Sequence, residues 1–150
     1  SRATRTPSSA RSARYFPLVG VIVGAIGAAI FALCSLPFTP FLSAAMTIAA
    51  LVIVTGAFHE DGLADTADGL GGGMSVERKL EIMKDSRIGS YGAAALVLSL
   101  LLRIGALMAL PPPAALAALI VAHSLARTSS LWLTLALPYV RVGSNKPMAD

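Results

Sequence analysis

The chain has a single cysteine in 150 residues, Cys34, and it stands inside an apolar run. Disulfide scaffolds and zinc sites built on paired cysteines are therefore excluded. Charge is nearly as scarce: Asp, Glu, Lys and Arg make up 13% of the chain, against 55% hydrophobic residues. An ordinary soluble domain carries about a quarter charged residues, so this composition reads as a membrane protein. Acids are almost absent outside one stretch. Seven of the eight lie between Glu60 and Asp85, and the eighth is Asp150. Most basic residues stand outside the apolar runs, a placement that sets topology better than it suggests nucleic acid.

Four runs are long enough to cross a hydrocarbon layer of roughly 30 Å. They extend from about Phe16 to Ser35, Phe41 to Phe58, Tyr91 to Leu110 and Ala114 to Leu137. Pro37 and Pro40 punctuate the first linker, and Pro111, Pro112 and Pro113 the last. The expected fold is all-α: a polytopic membrane helix bundle of about four transmembrane helices, with short cytoplasmic helices in the acidic loop 59–90. Arg2, Arg5, Arg11 and Arg14 precede the first run, four cations sit in the acidic loop, and Arg141 and Lys146 follow the last run. The two short linkers carry none. By the positive-inside rule both termini and the acidic loop face the cytoplasm. Residues 1–14, rich in Arg and Ser and free of acids, resemble an organelle transit peptide in composition; a disordered arm touching anionic lipid is the plainer account.

Chemistry concentrates where the acids do. Asp61, Asp65 and Asp68 fall at i, i+4 and i+7, which brings three carboxylates onto one face if the stretch is helical. At roughly 6 Å and an effective dielectric near 20, each ionised pair repels by about 3 kcal/mol. A divalent cation removes that conflict, and hard oxygen ligands imply magnesium or manganese rather than zinc. Gly62 and Gly69 interrupt the same helix at about 1 kcal/mol each relative to Ala. Close approach by a ligand or a neighbouring helix would explain both. Glu60 lies beside the aspartate face and is not assigned to the metal.

Two apparent motifs fail. His59 and Glu60 begin like HExxH, but the fifth position is Leu63, so the second histidine is missing. His59 remains a candidate base or a partner for an aspartate; a merely solvated histidine is the competing reading. Gly71, Gly72 and Gly73 are followed by Met74 and Ser75 rather than by the lysine of a phosphate-binding loop. They read as a hinge before a second helix, about Val76 to Ser86, with Ser75 as N-cap and Glu77 in its first turn. Glu77 and Glu81, interspersed with Arg78 and Lys79, read as a solvated face. Lys84, Asp85 and Arg87 differ: two cations suited to phosphate oxygens adjoin a carboxylate that could reach a metal or take a proton. Arg103 stands mid-span, where an unpaired cation costs about 2.5 to 3.5 kcal/mol, and should face protein or a polar cavity. His123 and Arg127 stand one turn apart in the last run; interhelical hydrogen bonding competes there with an anion-binding role for Arg127.

The string from His59 to Gly92 resembles the cobalamin synthase family, the adenosylcobinamide-GDP ribazoletransferases of late vitamin B12 synthesis. The likeness rests on the block His59-x-Asp61-Gly62-Leu63-Ala64-Asp65-Thr66-Ala67-Asp68-Gly69, a glycine spacer, and Ile82-Met83-Lys84-Asp85-Ser86-Arg87-Ile88-Gly89-x-Tyr91-Gly92. Tyr15 to Gly20, Arg127 and Leu137 to Gly143 extend it. The resemblance implies a magnesium-dependent transferase that joins α-ribazole, or its 5′-phosphate, to adenosylcobinamide-GDP and releases GMP. On that likeness Asp61, Asp65 and Asp68 hold the metal, Asp85 and His59 are the catalytic candidates, and Lys84, Arg87 and Arg127 hold phosphate. It also implies a multi-pass protein of the bacterial inner membrane, with no nucleic-acid partner and with a homo-oligomer compatible. Residues 15–150 would form a transmembrane catalytic domain incomplete at both ends relative to the family.

Two rivals use the same residues. A CDP-alcohol phosphotransferase also sets aspartates at a membrane surface, and Asp65-x-x-Asp68-Gly69 begins like its motif, but Gly72-Gly73 stands where Ala-Arg is expected. A divalent-cation transporter would place its acids near mid-membrane, whereas these crowd the edge beside cations suited to phosphate.

Overall fold

The computed structural model describes residues 15–137, which are helical, with no strand among them. The basic arm 1–14, Arg141, Lys146 and most of the 137–143 stretch lie outside the described residues. Six helices follow in order: α1 (Phe16–Cys34), α2 (Pro40–Val54), α3 (Phe58–Gly72), α4 (Val76–Ile82), α5 (Ser90–Ala109) and α6 (Pro112–Ala136). They form two compact units. One joins the chain up to Gly56 to Leu102–Leu137, and the other contains Ala57–Leu101.

In the first unit α1 packs on α6 through glycine. A Cβ built on Gly20 would lie 2.5 Å from the His123 carbonyl oxygen, and one on Gly24 would lie 2.5 Å from Ile120 Cα. Backbone approaches backbone, as in small-xxx-small pairs in lipid, where dispersion and not water exclusion holds helices together. Ser124 Oγ donates to the Pro17 carbonyl at 3.4 Å, so hydrogen bonding between helices is part of this contact. Gly27 receives the Leu51 side chain of α2. Val23, Phe31, Leu51, Leu107 and Leu119 lead the core. Ser43 and Thr47, fully buried on α2, return their hydroxyls to carbonyls four residues back, at 3.0 and 2.7 Å, which makes their burial tolerable. Ile22, Leu33, Leu102, Val121, Leu125 and Trp132 remain exposed, the outward apolar surface a bilayer covers.

Three helices are long and apolar enough to span: α1, α5 and most of α6. At 15 residues α2 is about 22 Å long, and it reaches the requirement only when counted with α3. The expected second run to Phe58 is thus too long. The helix stops at Val54 because Gly56 and Ala57 turn left-handed, with φ of 64° and 56°, before α3 begins at Phe58. Proline opens the helices where its missing N–H does no harm: Pro17 in α1, Pro40 in α2, Pro112 in α6.

In the second unit α3 runs without interruption through both interior glycines, so the acidic stretch is a helix. Ser75 caps α4, its hydroxyl accepting from Arg78 N–H at 3.2 Å, with Glu77 in the first turn. That helix is shorter than its expected end at Ser86. After Met83 the backbone tightens, and the Asp85 carboxylate takes the Arg87 N–H at 3.1 Å, a local bond that competes with helix continuation.

Candidate active site

Because α3 is helical from Phe58 to Gly72, Asp61, Asp65 and Asp68 share one face on successive turns, and that face descends into the protein. Asp61 is exposed, Asp65 half-buried and Asp68 buried. Asp68 is committed elsewhere. Its Oδ2 accepts the Gly89 N–H at 2.7 Å and its Oδ1 the Gly92 N–H at 2.8 Å. Gly89 and Gly92 flank the first turn of α5, so this carboxylate ties α3 to the amino end of a 20-residue helix. Its charge meets orphan N–H groups and the positive end of the helix dipole. Among the described residues no three acidic, histidine or cysteine side chains converge as one metal site. The three carboxylates expected from spacing to act together therefore stand differently: Asp61 is exposed, Asp65 half-buried, and Asp68 bonded to backbone.

The glycines of the motif make room for this arrangement. A Cβ at Gly89 would lie 2.5 Å from Asp68 Oδ1, and one at Gly92 would collide with Asp68 Oδ2 and sit 2.9 Å from the Ala64 carbonyl. A Cβ at Gly69 would press on the Met83 side chain and lie 3.1 Å from the Lys79 carbonyl. Gly71 and Gly72 close α3 and Gly73 follows as its C-cap, and none of the three adopts a positive φ. What they supply is space: Gly71 receives the Tyr91 ring, and a Cβ on Gly73 would lie 2.8 Å from Lys79 N. Gly62 differs, with nothing within 4 Å of its missing side chain.

An open cleft of about 580 Å³ lies in this unit, lined by Asp68, α4 and the turn into α5. Arg87 and Asp85 form its most defined pair, with Arg87 Nε 3.0 Å from Asp85 Oδ1 and Nη2 2.6 Å from Oδ2. The Arg87 side-chain and backbone hydrogen bonds hold the Asp85 carboxyl down at about 2, and the same pairing raises Arg87. A carboxylate that acidic is a poor proton acceptor near neutrality, so the expectation of Asp85 as base is not favoured by its setting. Lys84 is exposed on the turn and is not among the cleft residues. His59 is exposed and edge-on to Phe58, with ring centroids 5.7 Å apart. Two positions before Asp61 on a helix, it points to the opposite side from the aspartate face.

Arg127 belongs to the other unit. It is buried on α6, and its Nη1 lies 3.4 Å from both His123 Nδ1 and the His123 carbonyl oxygen. Arg103 is half-buried on α5. Arg78 and Tyr91, which line the cleft, and the N–H groups of Gly89 and Gly92, which hold Asp68, are site features that charge spacing does not single out. Arg78 reads in sequence as one cation of a solvated face, and it does pair with Glu81 at 2.7 Å. Two glycines three apart at the start of an apolar run were the available sign that something approaches that backbone.

The family profile of cobalamin-5-phosphate synthase matches residues 2–150. Among curated relatives, an adenosylcobinamide-GDP ribazoletransferase of Shewanella pealeana is 48% identical over 146 residues, covering 93% of this chain and 56% of the relative. One of Ralstonia nicotianae is 47% identical over 145 residues with the same coverage. One of Vibrio parahaemolyticus is 45% identical over 146 residues, covering 93% of this chain and 54% of its own. The chain thus spans a little over half the length of these relatives. No solved structure matches it.

Proposed function

Because the chain belongs to the cobalamin-5-phosphate synthase family, we propose that it contributes the catalytic face of an adenosylcobinamide-GDP ribazoletransferase. The substrates would be adenosylcobinamide-GDP and α-ribazole or its 5′-phosphate, and the site would face the cytoplasm of a bacterial inner membrane, as the basic residues of the acidic loop suggest. The carrying observation is that one compact unit holds both the carboxylate face of α3 and a cleft lined by two arginines, with Asp68 of that face reaching the cleft.

In the proposed reaction a ribose hydroxyl oxygen of α-ribazole forms a bond to the corrinoid-side phosphorus. The phosphoanhydride breaks, GMP leaves with the bridging oxygen, and the hydroxyl proton passes to solvent water. The transition state is loose, so positioning and charge neutralisation contribute most of the catalysis. Asp61 and Asp65, one turn apart, the first exposed and the second half-buried, suit magnesium, which takes one or two carboxylates and leaves its remaining positions to water and substrate phosphate. Bound there, the ion would neutralise charge developing across the diphosphate. Asp68 fixes the end of that face against α5. Arg87, with Arg78, is placed to hold phosphate oxygens in the cleft.

The test is GMP release by the full-length protein in detergent, with and without magnesium, from adenosylcobinamide-GDP plus α-ribazole. The reading expects magnesium-dependent release coupled to phosphodiester formation. Product from a CDP-alcohol and none from the corrinoid would overturn it, as would metal flux in sealed vesicles without turnover.

A further inference from the structure

We propose that Tyr91 is the base platform of this cleft: its ring, backed by Gly71, stacks on the purine of a guanine nucleotide whose phosphates meet Arg87 and Arg78. The inference rests on the reading above for its ligand, and it assigns a subsite that the reaction alone does not.

Tyr91 stands in the first turn of α5, between the two glycines whose N–H groups Asp68 holds, so its backbone is fixed by the same two hydrogen bonds. Its ring rests against α3: a Cβ on Gly71 would lie 2.5 Å from Tyr91 Cγ and 2.6 Å from Cδ2. Only glycine lets the ring come so close. An aromatic supported against backbone keeps its position, yet Tyr91 is 58% exposed and lines the cleft. A large aromatic surface is therefore held in place and left open on a polar cleft. Arg87 gives Nε and Nη2 to Asp85, which leaves Nη1 for an incoming anion, and Arg78 lines the same wall. An aromatic face near guanidinium groups matches a nucleotide, with the base on the ring and the phosphates on the cations. The volume, about 580 Å³, is within the ordinary range for a small-molecule site. A tyrosine serving only as a membrane-interface anchor would need neither the glycine behind it nor the arginines around it.

The probes are GMP and ribose 5-phosphate, which share a phosphorylated ribose and differ by the base. Binding of each to the full-length protein in detergent is measured by calorimetry. Tyr91→Leu should weaken GMP by about tenfold and leave ribose 5-phosphate unchanged, while Tyr91→Phe should keep GMP binding within about twofold of wild type. Gly71→Val, which pushes the ring outward, should act in the same direction as Tyr91→Leu. Equal weakening of both probes by Tyr91→Leu, unchanged GMP binding in that variant, or no GMP binding by the wild type would each overturn the proposal. If GMP binds through Tyr91 and yet no corrinoid product forms, the reaction assignment fails while the nucleotide subsite stands.

Discussion

Asp68→Asn separates a carboxylate that holds a helix from one that holds a metal. In the native arrangement each oxygen accepts one backbone N–H, from Gly89 at 2.7 Å and Gly92 at 2.8 Å, in a side chain only 8% exposed. The amide retains one acceptor oxygen and turns an NH₂ toward the other donor. One N–H is then left without an acceptor, at about 1 to 3 kcal/mol, and the loss of charge at the helix amino end adds about 0.3 to 1 kcal/mol. Taking about 2 kcal/mol as the drop in local opening free energy, amide exchange at Gly89 and Gly92 should accelerate by about 30-fold. Hydrogen exchange on the full-length protein in detergent, read by mass spectrometry over residues 87–93, measures it. Asp65→Asn is the control and should leave exchange there unchanged. If Asp68→Asn leaves exchange at native rates while magnesium affinity collapses, Asp68 is an ion ligand and the division of the three aspartates is wrong.

The remaining expectations can be tested on the same preparation. Asp65→Asn should abolish GMP release without affecting membrane insertion, because it removes a ligand charge but little volume; wild-type turnover would remove Asp65 from the site. Asp85 is depressed to about 2 from 3.8, so the stability its pairing confers is complete above the unfolded value and is lost only as pH falls through about 2. The acidic limb of the rate against pH above pH 5 should therefore keep its midpoint in Asp85→Asn, whatever happens to the rate itself. Disappearance of that limb would make Asp85 the base. Gly24→Leu drives a side chain into Ile120 Cα and the Leu119 carbonyl, and should lower the melting temperature in detergent by several degrees, as overpacking of about 1 to 3 kcal/mol does. Gly62→Ala meets open space and should be neutral or stabilising by up to about 1 kcal/mol. A marked loss of stability there would show an unseen neighbour.

Helix number and type were legible because long uncharged runs bounded by proline leave little choice in a bilayer, and α5 and α6 begin and end within two residues of expectation. The acidic helix was legible from carboxylate spacing, and the α4 cap from Ser75. Less legible was the early end of α2, since the residues around Gly56 and Ala57 are apolar enough to continue a span, and only backbone geometry reveals the break. Carboxylate spacing also made Asp61, Asp65 and Asp68 equivalent. Periodicity reports direction around a helix, not depth, and it is depth that distinguishes Asp68 from Asp61. Likewise the Lys84–Arg87 run showed charges suited to phosphate but not that Asp85 and Arg87 satisfy each other first.

Glycine links the membrane unit to the polar one by opposite uses of the same missing side chain. In α1, Gly20 and Gly24 let one helix backbone reach another, which stabilises packing where the surrounding lipid offers no hydrophobic gain from burial. In the acidic unit Gly89 and Gly92 let backbone N–H groups reach a charged oxygen, and Gly71 lets an aromatic ring reach a helix. The consequence for substitution differs. Alanine at Gly20 or Gly24 meets backbone that cannot rotate away, so relief requires moving a whole helix. Alanine at Gly92 meets the Asp68 carboxylate and the Ala64 carbonyl, so relief requires the carboxylate to withdraw, which breaks the tie to α5, and the α3 backbone to give locally. Gly92→Ala should therefore preserve α1 and α6 packing, read as unchanged exchange protection over residues 17–27. It should also reproduce the exchange defect of Asp68→Asn around Gly89, and the two changes combined should cost less than the sum of the two, because residues that share one interaction are not additive. Full additivity would mean that Gly92 and Asp68 stabilise the protein by separate means, contrary to the geometry.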